Sequence, residues 1–259
     1  MASPVWDPAQ YARFADQRMR PARDLIARIP LDAPGIVFDL GCGPGNVTAL
    51  LAARWPGTRI VGIDNSPAMI ARARRTSAAV DWREADIAGW RSPRPADLIF
   101  ANASLQWLDD HAALFARLIG ALAPEGVIAV QMPRNFDAPS HRCMTETIES
   151  GPWRERLARA RPDWPVATPE AYYAMLAPHA RRLDIWETVY LHALEGDNPV
   201  VEWTRGTGLK PFLDALDDED ERAAFLADYA ARIARAYPRR SDGRTLLPFR
   251  RLFIVAVRR

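Results

Sequence analysis

Twelve consecutive residues read Val37-Phe38-Asp39-Leu40-Gly41-Cys42-Gly43-Pro44-Gly45-Asn46-Val47-Thr48. A short, mostly apolar run leads into three alternate glycines, and a helical pattern follows them. Glycine has no Cβ, so such a turn can be tight and can approach a ligand closely. The first N–H groups of the following helix have no acceptor within the helix and can face that ligand. The stretch therefore predicts a strand–turn–helix unit with a binding site at the turn.

The pattern around this stretch predicts an α/β fold. Short apolar runs predict strands over 36–40, 59–63, 80–84, 96–101 and 126–132, and helical spacing is found over 45–55, 67–75 and 111–122. Strands that alternate with helices indicate a parallel sheet covered on both faces. Later runs over 183–194 and 246–257 predict a sixth and a seventh strand, one forming an antiparallel edge, with helices over 199–237. Helical spacing over 9–29 predicts an N-terminal pair of helices split at Pro21.

Composition excludes several classes of protein. The chain of 259 residues has 34 Lys and Arg against 32 Asp and Glu, a net charge of +2 that is too small for a dedicated nucleic-acid binder. Its two cysteines have no metal-site spacing, so we expect no metal and a reducing, cytoplasmic location. Apolar runs fall far short of the ~20 residues of a membrane span. All cationic residues except Lys210 are arginine, and arginine binds carboxylates in a two-pronged geometry.

Acidic residues at three successive strand ends indicate the ligand. Asp39 precedes the glycines, where its charge would repel a pyrophosphate and attract an ammonium group. Asp64 ends the second strand, close to the ~20-residue spacing at which a carboxylate reaches a ribose. Asp86 and Ile87, after the third strand, could hold an adenine amine and ring face. Asn46 stands where a dinucleotide site requires glycine, which disfavours a nicotinamide oxidoreductase. An ammonium, a ribose and an adenine without phosphate describe S-adenosyl-L-methionine.

The motif Asp39-x-Gly41-x-Gly43-x-Gly45 resembles the signature of class I S-adenosylmethionine-dependent methyltransferases. Over nearly its full length the chain resembles the family of bacterial trans-aconitate 2-methyltransferases. Segments that carry this resemblance are Tyr11-x-x-Phe14-x-x-x-Arg18, Asn102-Ala103-Ser104-Leu105-Gln106-Trp107, Gln131-Met132-Pro133, Glu202-Trp203, Thr207-Gly208-Leu209-Lys210-Pro211 and Arg251-Leu252-Phe253-Ile254-Val255-Ala256.

The resemblance implies a seven-stranded Rossmann-like sheet, mostly parallel with an antiparallel edge strand, plus N-terminal helices and a helical lid insertion. We expect a single domain over 1–259. Its parts are a helical cap (1–30), a cofactor-binding core (36–132), a lid (133–180) and a C-terminal part that completes the sheet and the substrate pocket (181–259).

The implied reaction moves a sulfonium methyl group to a carboxylate of trans-aconitate and forms a monomethyl ester. A carboxylate with a pKa near ~4 is already ionised, so no general base and no catalytic residue is predicted. Candidate cofactor-binding residues are Arg18, Asp39, Gly41, Cys42, Gly43, Gly45, Asp64, Asn65, Met69, Asp86, Ile87 and Asn102. Candidate substrate-binding residues are Tyr11, Arg18, Gln106, Trp107, Arg134, Tyr172, Trp203, Arg205, Lys210 and Arg251.

Other functions stay open at this point. A carboxyl methyltransferase acting on a malonyl-carrier protein, or on another small di- or tricarboxylate, would use the same chemistry. A non-catalytic S-adenosylmethionine-binding regulator would need only the cofactor site. No Asn-Pro-Pro-aromatic motif follows the fourth predicted strand and no Pro-Cys pair occurs, which disfavours amino and cytosine methyltransferases. We expect a monomer with a small tricarboxylate as partner, and neither nucleic acid nor membrane.

Overall fold

The computed structural model describes residues 15–160 and 165–259. Seven strands form one sheet in the order β3-β2-β1-β4-β5-β7-β6. Their bounds are β1 Ile36–Leu40, β2 Arg59–Asp64, β3 Asp81–Glu84, β4 Ala96–Asn102, β5 Leu122–Pro133, β6 Ala180–Leu194 and β7 Thr245–Arg258. The predicted α/β fold class is confirmed.

Helices connect the strands. They are α1 Ala15–Ala27, α2 Asn46–Arg54, α3 Pro67–Thr76, α4 His111–Gly120, α5 Pro139–Ser150, α6 Arg154–Ala160, α7 Pro169–Leu176, α8 Pro199–Arg205, α9 Lys210–Asp214 and α10 Glu219–Ala236. A short 3-10 helix, Leu105–Trp107, follows β4. Helix starts follow ordinary capping chemistry: the Ser66 hydroxyl accepts from Met69 N at 3.4 Å, and a proline stands at the start of α3.

Strands β1 to β5 run parallel, and β7 runs antiparallel to β5. The antiparallel strand lies one place in from the edge, between β5 and β6. β5 begins at Leu122, four residues before the predicted start, because Leu122 already pairs with Ala96. A register shift follows before Leu98 pairs with Val127, and Glu125 adopts a positive φ of 62° there.

The prediction that Pro21 splits the N-terminal helix is wrong for the described residues, since α1 runs through it. Proline removes one backbone hydrogen bond from a helix interior. Pro21, Ala22 and Leu25 are all buried, and this packing offsets the loss. The part of the predicted pair before Ala15 lies outside the described residues.

Alternate residues of the sheet strands separate into two faces. One face is apolar and forms a buried cluster with α4 and α7. Phe38 and Leu40 of β1, Ile99 of β4, and Val130 and Met132 of β5 belong to this cluster. The other face carries the intervening residues, and its polar members lie towards the carboxyl ends of the strands.

The described residues fall into two compact units. The sheet unit comprises 16–134, 165–188 and 251–259, and the helical unit comprises Ala15, 135–160 and 189–250. The helical unit has its own buried core around Trp153, Phe225 and Tyr229. Its largest helix is α10. The segment 133–180 is divided between the units, so its action as one lid, like the single domain, stays a prediction.

Among the described residues no helix is both long and apolar enough to cross a membrane.

Candidate functional site

The strand register places polar side chains on one face of the sheet. Asp39 pairs with Gly62 of β2 and with Phe100 of β4. Two residues further along, Asn102 of β4 pairs with Gln131 of β5. Paired residues share a face, and so do residues two apart along a strand. Asp39, Asn102 and Gln131 therefore lie on the same face.

The same register extends this face to both sides. Asp64 is two residues beyond Gly62 in β2, and Arg251 of β7 pairs with Pro133, two residues beyond Gln131. Acidic side chains thus lie at the ends of β1 and β2, and a cationic side chain lies on β7. The carboxyl ends of parallel strands are where α/β sheets bind ligands.

The glycine turn requires its first glycine. Gly41 has a φ of +75°, and a Cβ there would lie 2.3 Å from Cβ of Ser104. The N–H groups of Gly41 and Cys42 donate to the Ile63 carbonyl at 2.7 and 3.0 Å. The turn is therefore held against β2 on one side and the segment after β4 on the other.

Gly43 faces open space. Its φ is +54°, and no atom of the described residues lies within 4 Å of the position a Cβ would take. Its N–H donates to Asp64 Oδ2 at 2.9 Å, and Ser66 N donates to Asp64 Oδ1 at 2.9 Å. Burial raises the pKa of the half-buried Asp64 carboxyl, and these two N–H donors oppose that rise. Asp64 thus connects the turn to the end of β2.

Asp39 is 2% exposed and accepts a hydrogen bond of 2.6 Å from the Thr48 hydroxyl of α2. Burial raises the pKa of its carboxyl to about 7; the Thr48 hydrogen bond lowers it, and the charge of Asp64 raises it further. A cation near this pair of carboxylates would favour the ionised form of Asp39.

The segment after β4 completes this edge. Ala103 adopts a φ of +54°, uncommon for a residue with a Cβ, and its N–H donates to the Gln131 carbonyl at 2.9 Å. The Ser104 hydroxyl donates to the Leu40 carbonyl at 2.6 Å. Oδ1 of Asn102 is buried without a hydrogen-bond partner among the described residues. A buried acceptor of this kind is expected to meet a ligand donor.

Arg251 is 5% exposed, and its Nη1 donates to Gln131 Oε1 at 3.3 Å. Burying a guanidinium is costly unless anionic or polar groups surround it. The sequence indicated Arg251 but not Gln131. A glutamine within the otherwise apolar run Val127–Met132 was the available signal, because such a position is fully buried in a central strand.

Gln106 and Trp107 lie in the 3-10 helix that follows this segment. Gln106 Nε2 donates to the Ala103 carbonyl at 2.9 Å, and its Oε1 is buried without a partner among the described residues. Trp107 is 37% exposed. Both residues belong to the sheet unit, as Gln131 and Arg251 do, and their contact with the substrate stays a prediction.

The other predicted cofactor contacts differ in placement. Cys42 is buried, with its thiol near the Gly43 carbonyl at 3.7 Å, and burial raises the pKa of that thiol. Met69 is buried in α3, whereas Asn65 is exposed. Asp86 is exposed and its Oδ1 accepts from Ala88 N at 2.9 Å; Ile87 packs partly buried against the core. Their contacts with the cofactor stay predictions.

Tyr172 does not fit its predicted place in a substrate pocket. It is 0% exposed in the core cluster, where its hydroxyl is hydrogen-bonded to His111 Nδ1 and accepts from Ala167 N at 3.2 Å. His111 Nε2 lies 3.0 Å from the Leu105 carbonyl, so Nε2 carries the proton and Nδ1 accepts from Tyr172. Burial lowers the pKa of His111 and raises that of Tyr172 to about 12.

Arg134 is also engaged elsewhere. Its Nη1 forms an ion pair with Glu187 Oε1 at 2.7 Å, and its Nε donates to the Ala167 carbonyl at 3.1 Å. These bonds connect the end of β5 to β6 and to the segment before α7. Arg134 is therefore a structural cation rather than part of the site described above.

Three further candidates lie in the helical unit. Trp203 is 2% exposed and its ring stacks on His192 at 4.9 Å, within the core of that unit. Lys210 pairs with Asp214 at 2.8 Å, and Arg205 approaches Glu202 at 3.9 Å. The burial of Trp203 in this core does not support it as a wall of the substrate pocket. Lys210 and Arg205 each have a neighbouring carboxylate within the helical unit.

Tyr11 lies outside the described residues, as does the side chain of Arg18, which belongs to α1. Their roles stay predictions.

The residues present fit S-adenosyl-L-methionine. Gly43 leaves open space at the turn, Asn102 supplies a buried acceptor, and Asp39 and Asp64 supply negative charge on the same sheet face. A cationic ligand without phosphate matches this set better than a pyrophosphate, which the two carboxylates would repel.

Comparison with known proteins agrees with this fit. A family model described as "Methyltransferase domain" matches residues 37–126. A trans-aconitate 2-methyltransferase from Azoarcus sp. (strain BH72) is 56% identical over 98% of this chain and 100% of its own. One from Methylobacterium nodulans is 54% identical over 98% of both chains.

Solved structures share the fold. The YcgJ protein from Bacillus subtilis has a TM-score of 0.60 at 13% identity, over 93% of this chain and 98% of its own. Phosphoethanolamine N-methyltransferase 2 from Haemonchus contortus, in complex with S-adenosyl-L-methionine, has a TM-score of 0.53 at 16% identity, over 93% and 53%.

Proposed function

The chain belongs to the trans-aconitate 2-methyltransferase family, and on that premise we propose that it methylates a carboxylate of trans-aconitate with S-adenosyl-L-methionine. The products are the monomethyl ester and S-adenosylhomocysteine. Relatives at more than half identity over almost the whole chain carry the same name, which favours this substrate over a carrier protein or a regulatory role.

One observation in the structure carries the proposal. A single sheet face has two carboxylates at the ends of β1 and β2 and a buried guanidinium on β7, with polar amides between them. The acidic side suits a cationic cofactor, and the Arg251 side suits an anionic substrate. A methyl group can pass from a cation to an anion only where both are bound next to each other.

The chain contributes binding and orientation to this reaction. When bound, S-adenosyl-L-methionine supplies an electrophilic methyl group on a sulfonium. Gly41 to Gly45 and Asp64 would hold the cofactor, and Asn102 would accept a hydrogen bond from it. Arg251 would donate to a substrate carboxylate, which is already ionised at neutral pH, so the chain has no proton to remove. Exclusion of water from the carboxylate oxygen raises its reactivity.

The direct test is product analysis. Purified protein, S-adenosyl-L-methionine and trans-aconitate should yield a species heavier by one methylene and an equal amount of S-adenosylhomocysteine. A malonyl-carrier protein, offered in parallel, should give no ester. Cofactor binding without turnover of any di- or tricarboxylate would instead support the regulator.

Asp64→Ala should weaken cofactor binding by about 10- to 100-fold, because it removes a charge-assisted acceptor for the ribose and frees the Gly43 N–H. Calorimetric titration with S-adenosylhomocysteine measures the change. Asp81→Ala is the matched control, since Asp81 is an acid on the neighbouring strand whose partners are Arg59 and Arg83. Equal affinities in wild type and Asp64→Ala would remove Asp64 from the site.

Asp39 should make the stability of the cofactor-free protein depend on pH. The pKa of Asp39 in the folded protein, about 7, lies above the unfolded value of 3.8. The folded state therefore binds the Asp39 proton more tightly, and the stability that this proton contributes is lost as the pH rises from about 4 to 7. Asp39→Asn keeps an acceptor for Thr48 and removes the titration. Relative to wild type it should gain roughly 2–3 kcal/mol between pH 5 and pH 7.5 in urea unfolding. Parallel pH profiles of the two proteins would contradict the assignment.

The monomeric state, the cytoplasmic location and the absence of nucleic-acid binding stay part of the proposal. The location and the absence of nucleic-acid binding rest on composition and not on the site.

A further inference from the structure

Gln131 is a buried amide, and of its two polar atoms only the oxygen is hydrogen-bonded among the described residues. The residue is 0% exposed in the central strand β5. Its Oε1 accepts from Arg251 Nη1 at 3.3 Å, while its Nε2 has no hydrogen-bond partner among the described residues. A buried donor left unpaired costs about as much as a lost hydrogen bond, so it calls for a ligand acceptor.

Chemistry sets the direction in which this amide faces. A guanidinium has five donors and no acceptor, so the oxygen and not the nitrogen of Gln131 must face Arg251. The two Nε2 hydrogens of Gln131 then lie beside the guanidinium. An amide and a guanidinium joined in this way present several donors, which suits a carboxylate with its two oxygens and about four lone-pair sites.

The neighbouring strand β4 carries a buried acceptor instead of a buried donor. Asn102 pairs with Gln131 in the ladder between β4 and β5, and its Oδ1 is a buried acceptor without a partner among the described residues. Two unused groups of opposite character thus lie on adjacent strands and on the same face. The acceptor is on the side of Asp39, and the donor is on the side of Arg251.

We propose that Gln131 is a substrate-binding and specificity-determining residue, which donates from Nε2 to a substrate carboxylate while its Oε1 orients the Arg251 guanidinium. This inference rests on the proposed function and adds an uncharged hydrogen-bond donor to the substrate site. A neutral donor adds a hydrogen bond to the substrate carboxylate without adding a second buried charge, which would be costly before the substrate binds. Asn102 then separates the cofactor side from the substrate side.

The test is binding of trans-aconitate to the protein loaded with S-adenosylhomocysteine, measured by calorimetry beside turnover. Gln131→Leu keeps the size and removes the donor, and should weaken trans-aconitate binding by about 10- to 100-fold with unchanged S-adenosylhomocysteine affinity. Gln131→Glu should lose more, because the new carboxylate pairs with Arg251 and repels the trianion. That ion pair should keep the melting temperature of Gln131→Glu near the wild-type value.

The control is Thr147→Val. Thr147 is likewise 0% exposed, and its side-chain oxygen has no partner in the part of the chain that the structure describes. It lies in the helical unit and outside the proposed site, so this variant should bind trans-aconitate as wild type does. Unchanged binding in Gln131→Leu, or equal losses of binding and melting temperature in both Gln131 variants, would overturn the inference. Wild-type protein that binds trans-aconitate without methylating it would overturn the proposed function and leave the binding test of Gln131 in force.

Discussion

Replacing Arg251 with alanine is expected to raise the KM for trans-aconitate by about 100-fold or more, with the affinity for S-adenosylhomocysteine unchanged. Arg251 is 5% exposed on the face that carries Gln131 and Asn102. Truncating one partner of a buried, hydrogen-bonded charge pair costs roughly 2–5 kcal/mol, and here the other partner would be a substrate carboxylate. Steady-state kinetics with trans-aconitate varied at saturating cofactor measures the effect.

Arg250→Ala is the control for this change. Arg250 is the preceding residue of β7, it is partly exposed, and its Nη1 lies 3.3 Å from Asp137 Oδ2. Removing it takes away the same charge and the same chemical group at the surface, so the KM should stay within about twofold, as is usual for exposed ion pairs. Arg251→Lys separates charge from geometry, because an ammonium cannot bind a carboxylate in two-pronged fashion. Unaltered kinetics in Arg251→Ala would remove this residue from the site.

Gly41→Ala should lower the free energy of unfolding by roughly 2–5 kcal/mol and abolish cofactor binding at ordinary concentrations. The new Cβ would lie 2.3 Å from Ser104 Cβ, which is bound to Leu40 through its own hydroxyl. A positive φ costs a residue with a Cβ about 1–2 kcal/mol, and overpacking adds about 1–3 kcal/mol. Relief of the clash must move the turn away from β4. Urea unfolding and S-adenosylhomocysteine titration measure the two effects.

Gly57→Ala provides the comparison. Gly57 lies in the turn between α2 and β2 and has a φ of +85°, but within the described part of the chain nothing lies within 4 Å of the Cβ it would gain. This variant should show only the backbone cost and should bind the cofactor normally. If the free energy of unfolding fell equally in the two alanine variants, the contact with Ser104 would not contribute to the loss of stability in Gly41→Ala.

Local patterns predicted the fold well. A short apolar run placed β1 over its observed residues, and strands of this kind alternating with helices correctly indicated a sheet covered on both faces. Pro21 was misjudged because tertiary burial outweighs one missing hydrogen bond. The early start of β5 depends on pairing with Ala96, a residue distant in the chain.

Residue type alone predicted the substrate side less well. Arginines and aromatic residues are suitable for a tricarboxylate site, but Arg134 pairs with Glu187 and Tyr172 with His111, over sequence separations of 53 and 61 residues. Nothing near either residue in the chain indicates those partners. The sequence did not indicate Gln131 for the same reason. The orientation of its amide depends on Arg251, which is 120 residues away in the chain.

By itself the sequence determined the glycine turn, the acids at the ends of β1 and β2, and hence the class of cofactor. These features depend on backbone geometry within a few consecutive residues. Tertiary structure alone decided that Arg251 is buried on the ligand-binding face and that Arg134 pairs with Glu187. The physical reason is that the free energy of a charge depends on its burial and its partners, and both are set by residues brought together from distant parts of the chain.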